Sequence, residues 1–190
     1  MNTSTETVPN PERNQYSSRQ GRWMQTHTGR RFYPLDPRQD DIALTDIAHA
    51  LSHVCRFGGH CRHFYSVAQH SVLVASILPP RLQLAGLLHD ATEAYLIDLP
   101  TPIKAALPDY KVMETKLAGL IEQAFGVSFD DPLIHQADRI ALVTEARDLI
   151  DPNTPTLWGY KDAPLTFRIS PQSSNVARGE FLKAFFTLTK

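Results

Sequence analysis

The chain is poor in cysteine, with two thiols in 190 residues, which excludes the disulfide framework that staples small secreted domains. No apolar run approaches the roughly 18 residues that a membrane span requires, and the N-terminal region lacks the hydrophobic stretch of a signal peptide. A cytoplasmic protein without a membrane partner is expected. Neither charge is in excess, since 19 Lys and Arg stand against 20 Asp and Glu for a net charge of -1. That balance supplies no overall basic field of the kind that drives binding to a phosphate backbone, so no nucleic-acid partner is expected. Local basic groups can still hold a small anion. Internal repeats and low-complexity tracts are absent too.

What is present suffices for one core. With 42% hydrophobic and 21% charged residues over this length, the default is a single domain. Residues 1–22, "MNTSTETVPNPERNQYSSRQGR", are rich in Ser, Thr, Asn and Pro and read as a disordered leader. The domain then occupies residues 23–190, opening on an aromatic and turn-rich stretch that suits a short β-hairpin or an extended flap. From there the pattern is helical, and the fold class is an all-α bundle.

"LTDIAHALSHVC" sets Ile47, Leu51 and Val54 on one stripe with Thr45 as the N-cap. "SVAQHSVLVASIL" has Ser66 and Gln69 in capping-box spacing, which predicts a helix beginning at Ser66. After Pro79-Pro80, "RLQLAGLLHDATEAYL" reads as one central helix that "DLPTP" terminates. A fourth helix begins at Pro108 and is capped by Gly126. A fifth follows Asp131-Pro132. A Pro-rich connection leads to a last amphipathic helix carrying Val176, Phe181, Phe185 and Leu188.

Several polar residues interrupt these apolar faces. In the third helix His89, Asp90 and Glu93 fall within about 100° of helical arc. In the fifth, Asp138 lies one turn after Ile134 and one before Ala141, on a face that ought to be buried. A buried carboxylate needs an opposite charge, hydrogen-bond donors or a metal. In the second, His70 sits between Val67 and Val74. Three helices thus each point a metal-capable residue inward. Each has a plainer reading: His70 as a hydrogen-bonded core histidine, Asp138 paired with Arg139 or Arg147, Glu93 on a helix surface, Asp98 as a turn residue. Their joint occurrence on separate helices is what no single plain reading explains.

The stretch "HVCRFGGHCRHFYSVAQH" holds four histidines and two cysteines, yet His53, Cys55, His60, Cys61 and His63 lack the paired spacing that closes a four-ligand zinc knuckle. The cysteines read as buried small hydrophobes. His60, Arg62 or His63 either touch phosphate or sugar from a loop near the substrate or belong to a plain surface loop.

"SVAQHS", "LLHDATEAYLIDLPTPIK" and "HQADRIALVTEARDL" together resemble the H…HD…D signature of the HD-domain metal-dependent phosphohydrolases, most closely the bacterial 5'-deoxynucleotidase-like branch. The resemblance covers roughly residues 50 to 150. It implies an HD-type helical bundle with one divalent ion, Mn, Co, Fe, Ni or Zn, held by His70, His89, Asp90 and Asp138. It makes Glu93 the catalytic acid and Asp98 a second acid near the reacting phosphate. Arg56 and Phe57 lie where that branch has an Arg-Trp pair contacting the nucleotide, and Phe for Trp is a departure. Two imidazoles and two carboxylates suit such a borderline ion better than Ca²⁺. Arg56 and Lys104 are then the best phosphate contacts. The expected substrate is a small-molecule nucleotide, cleaved at its 5' phosphoester, first as a deoxynucleoside monophosphate. The alternatives are a deoxynucleoside triphosphate triphosphohydrolase, for which Arg30, Arg31, Arg62, Lys111 and Arg139 offer charge, and a non-catalytic regulatory protein that binds metal and nucleotide. A homodimer is the expected assembly.

Overall fold

The fold is known from a computed structural model that describes residues 18–190. Of the expected disordered leader, residues 1–17 lie outside the described residues. Its end does not match the expectation. Arg19 pairs with Asp36 at 3.0 Å and with Asp41, and its guanidinium lies 4.4 Å from the Tyr33 ring centre. The folded unit therefore begins earlier than residue 23.

The expected hairpin is present, with β1 (Met24–Gln25) antiparallel to β2 (Arg31–Phe32). Its turn is fastened to the first helix, α1 (Leu44–His53), because the Asp46 carboxylate accepts from the Thr28 amide at 2.7 Å and hydroxyl at 2.8 Å. Thr45 does not cap this helix. The cap position is Ala43, whose N–H donates to the Tyr95 hydroxyl at 3.1 Å. No side chain caps the first turn, and Tyr95 satisfies only the N–H of the cap residue itself.

Helix α2 (Val67–Ile77) starts as predicted, with Ser66 Oγ accepting from the Gln69 amide at 3.2 Å. The reciprocal half of the capping box is missing, since the Gln69 side chain instead donates to the Ser170 carbonyl and accepts from the Gln172 amide. The predicted third helix is broken in two: α3 (Gln83–Leu88) and α4 (Glu93–Leu96). Between them the backbone closes through shorter i to i−3 bonds, Ala91 to Leu88 and Glu93 to Asp90, a tighter winding than the α-helix. Beyond them come α5 (Thr101–Ala105), α6 (Pro108–Phe125) and α7 (Pro132–Glu145). α6 ends at Gly126 in the left-handed conformation (φ 65°), as expected. α7 is capped by Asp131, accepting from the Leu133 amide at 2.9 Å, and runs on through a wider turn at Ala146–Ile150. A short α8 (Thr154–Leu157) and the last helix, α9 (Ser174–Leu188), complete the chain. On α9 Phe181 is fully buried, but Val176, placed on the apolar face by its spacing, is 49% exposed.

Two apolar clusters hold these elements. The larger gathers Ile47, Leu51, Leu87, Leu88, Leu117 and Phe181. The smaller packs Val74, Leu78 and Ala85 against Ile134, Ala137 and Ala141, which lays α7 along α2 and α3. Gly86 lets α3 approach the end of α2 closely: a Cβ there would fall 2.2 Å from Leu78 Cδ1. The outcome is that α2, the α3–α4 junction and α7 converge on one spot. Among the described residues no helix is long and apolar enough to cross a membrane.

Candidate metal centre

Three ligand atoms from three elements meet there. His70, His89 and Asp138 each offer one atom, all within 4.8 Å of one another. His70 projects from the middle of α2 and is completely buried. His89 stands where α3 gives way to the tighter turn, and Asp138 flanks the apolar seam of α7. The Asp138 oxygen lies 3.2 Å from His70 Nε2 and 3.9 Å from His89 Nε2. Asp90, the fourth expected ligand, places one oxygen 3.3 Å from His70 Nε2 and the other 3.2 Å from His89 Nε2. It therefore straddles the two imidazoles and lies outside the three-residue grouping.

The imidazoles are oriented from behind. His70 Nδ1 is 2.6 Å from Glu145 Oε1, and His89 Nδ1 is 2.8 Å from the Gly86 carbonyl. Both partners are acceptors, so each Nδ1 carries the hydrogen, and in the neutral imidazole each Nε2 keeps a lone pair. Without a cation between them, burial and the Arg56 charge are outweighed by Glu145, Asp138 and Asp90, which raise the pKa of His70. Neither Nε2 has a hydrogen-bond partner, although both are buried. The carboxylates facing them are near enough to attract a proton and are not aligned to hold one. Nitrogen lone pairs aimed at carboxylate oxygens repel unless a cation lies between them. Bonds of about 2.1 Å to a shared ion would separate ligand atoms by about 3.0–3.4 Å. Most of the observed separations lie in or near that range, so the residues present could hold a metal ion.

Charge is organised around this cluster. Glu145, fully buried, accepts from His70, from the Tyr65 hydroxyl at 3.0 Å and from Arg56 Nε at 3.1 Å. Burial raises its pKa, yet the Arg56 and His70 charges outweigh burial and hold it below the usual range. Arg56 is shared, with Nη1 3.6 Å from Asp90. Burial also opposes the charge on Asp138, but positive charge on the facing His70 and His89 outweighs it and holds its pKa below the usual range. Glu93 goes the other way. Burial and the charges of Asp90 and Asp98 drive its pKa well above the ordinary value, against Arg56 and Lys104, and its Oε2 has no hydrogen-bond partner. Asp98 is likewise raised, chiefly by burial and by Asp90, against Arg56 and Lys104.

No family model matches the sequence. YfdR of Escherichia coli, an uncharacterized protein, is 41% identical over 173 residues, which span 88% of this chain and 96% of the relative. The chain belongs to the YfdR family. An uncharacterized protein of Rhodobacter capsulatus is 36% identical over 142 residues, covering 67% of this chain and 72% of its own.

In this member of the YfdR family the structure sorts the remaining predicted residues. Lys104, expected at a phosphate, donates to Glu114 at 2.6 Å. Phe57 sits beside Arg56, whose guanidinium lies 5.3 Å from its ring centre. The Phe57 backbone is left-handed (φ 57°), a conformation that costs a non-glycine residue about 1–2 kcal/mol. His60, Arg62 and His63 are exposed. Cys55 and Cys61 are free and half-buried rather than buried. His53 Nδ1 is engaged by the His49 carbonyl at 2.8 Å. Asp138 pairs with neither arginine offered by its plain reading, for Arg139 bonds Asp162 and Arg147 bonds Asp148. The sequence reading missed Glu145. Its signal was its place two turns after Asp138 on the same face of α7, a second acid where apolar residues were due.

Proposed function

We propose that this protein is a divalent-metal-dependent phosphohydrolase of the HD-domain type that cleaves the 5' phosphoester of nucleoside monophosphates, deoxynucleotides first. The observation that carries the reading is the pair of buried, unpartnered Nε2 atoms of His70 and His89, both facing carboxylate oxygens. In this reading His70, His89 and Asp138, joined by Asp90, hold one Mn, Co, Fe, Ni or Zn ion. A bound ion of this type supplies Lewis acidity to a phosphoryl oxygen and acidifies water. Glu93, kept protonated by burial and by neighbouring carboxylates, gives its proton to the departing 5' oxygen, which is otherwise a strongly basic leaving group. Asp98 orients the attacking water. Arg56 offsets charge on the phosphate while its other face stays paired with Glu145.

Three of the five cations offered for a triphosphate are engaged elsewhere, which supports the monophosphate first, while Arg62 and Lys111 stay exposed. Arg139 is occupied by Asp162, Arg30 bonds the Asp40 carbonyl near the hairpin, and Arg31 lies over Trp23. The test is incubation of protein loaded with Mn²⁺ or Co²⁺ with dAMP, dGMP, dCMP, dTMP and the matching triphosphates. Inorganic phosphate released from the monophosphates is the expected result. Release of triphosphate alone would transfer the assignment to the triphosphohydrolase, and no turnover with metal bound would leave the regulatory reading in its place.

A further inference from the structure

We infer that Trp158 and Phe57 form an aromatic platform that stacks the planar base of the nucleotide, an inference that takes the identity of the ligand from the phosphohydrolase reading above. The two rings come from distant parts of the chain and lie with centroids 6.2 Å apart and planes inclined by 29°. Tyr160 closes one side, edge-on to Trp158 at 6.5 Å. Trp158 is 47% exposed and Tyr160 is 36% exposed, so aromatic surface is left to water at a place where burial would be favourable.

Position ties this surface to the metal centre. Arg56, which approaches Asp90, is also the residue whose guanidinium lies against the Phe57 ring. The left-handed backbone at Phe57 and Gly58 turns the chain at that point, and strain of this kind persists where the surroundings require it. The loop is pinned to the segment leading into α8 by the Arg62 amide, which donates to the Leu149 carbonyl at 2.9 Å. A phosphate near Arg56 would thus have an aromatic surface one side chain away. Stacking suits this surface because every base has a π-face, whereas the sugar phosphate alone does not.

The chain has two tryptophans, so Trp23→Phe leaves Trp158 as the sole indole reporter. In metal-loaded protein with this background, stopped-flow mixing with dAMP should quench indole fluorescence saturably, and 2-deoxyribose 5-phosphate should not. In the native background, Trp158→Ala should lower the ratio of kcat/KM for dAMP over that for deoxyribose 5-phosphate by about tenfold, and Trp158→Phe should restore most of it. An unchanged ratio, absent quenching, or equal quenching by the base-free sugar phosphate overturns the platform. If the native protein hydrolyses neither compound, the phosphohydrolase reading falls, and the quenching comparison still decides whether a base is stacked.

Discussion

Replacing Glu145 with Gln tests the organisation of the metal centre without touching a ligand. The carboxylate collects three donors, from His70 at 2.6 Å, Tyr65 at 3.0 Å and Arg56 at 3.1 Å, and it is wholly buried. An amide of the same size has one accepting oxygen, which serves His70 and Tyr65 where Oε1 stood, and turns its N–H donors toward Arg56, itself a donor. The Arg56 charge then loses its closest partner and keeps Asp90 at 3.6 Å. Breaking a buried pair in this way costs about 3–5 kcal/mol, which in a chain of this length lowers the melting temperature by roughly 10 °C. His70 then keeps a neutral amide oxygen in place of a carboxylate behind its Nδ1, and changes of that kind weaken metal affinity by about 10- to 100-fold. Competition titration of Co²⁺ with a chelator of known affinity, alongside thermal melts, measures both effects. Tyr65→Phe is the control, because it removes one of the three donors and spares the imidazole. It should cost about 1 kcal/mol and leave affinity close to native. Native-like metal affinity in Glu145→Gln, or an equal loss in Tyr65→Phe, would refute the claim that Glu145 acts through His70.

Three further outcomes are expected. Glu93→Gln should cut turnover by about 10²–10⁴-fold with metal content unchanged by elemental analysis; retained turnover removes Glu93 from the proton transfer. Gly86→Ala pushes a methyl into buried Leu78, and after the gain in helix propensity the net loss should be about 1–2 kcal/mol. A rise in chemical-denaturation midpoint would contradict the close approach of α2 and α3. Asp148 is the pH probe: burial opposes its charge, but bonds from Arg147, the Ile169 amide and Arg168 pull its pKa down to about 2. A depressed carboxyl stabilises fully above the unfolded value near 3.9 and loses that contribution as pH falls through the folded value. The contribution is about 2.6 kcal/mol at most, and about half that after solvent screening. In chelator-treated protein, the stability gap between wild type and Asp148→Asn should therefore narrow from pH 4 to pH 2, and a constant gap would argue against this linkage.

The parts of the site that were legible in the sequence were those where a polar residue broke an apolar period. His70 and Asp138 stood out because one-turn neighbours on either side were apolar, and the folded chain brings both to His89. Ser66 and Gly126 were legible because caps depend on local chemistry. The continuous third helix was not what formed. Helical period alone does not register a change from i−4 to i−3 bonding, and that change occurs at His89 to Thr92, the residues that carry the site. Thr45 is not the cap because the helix already starts at Leu44, after Ala43, whose N–H is tied to Tyr95 across 52 positions. Lys104 was placed by proximity along the chain, which could not reveal Glu114 on the following helix. Trp158 lay in a stretch read as connection, and its nearness to Phe57 exists only in three dimensions.

The two histidines rest on unlike supports, a buried carboxylate behind His70 and a main-chain oxygen behind His89. Negative charge behind an imidazole makes its far nitrogen the stronger base. A cation would accordingly be gripped unevenly, anchored toward α2 and held more loosely at the α3–α4 break. In the proposed hydrolase, solvent or phosphate would exchange most easily on the loosely held side, where Asp90 and Glu93 follow within one turn. The interruption in the helix thus gives the centre a front and a back.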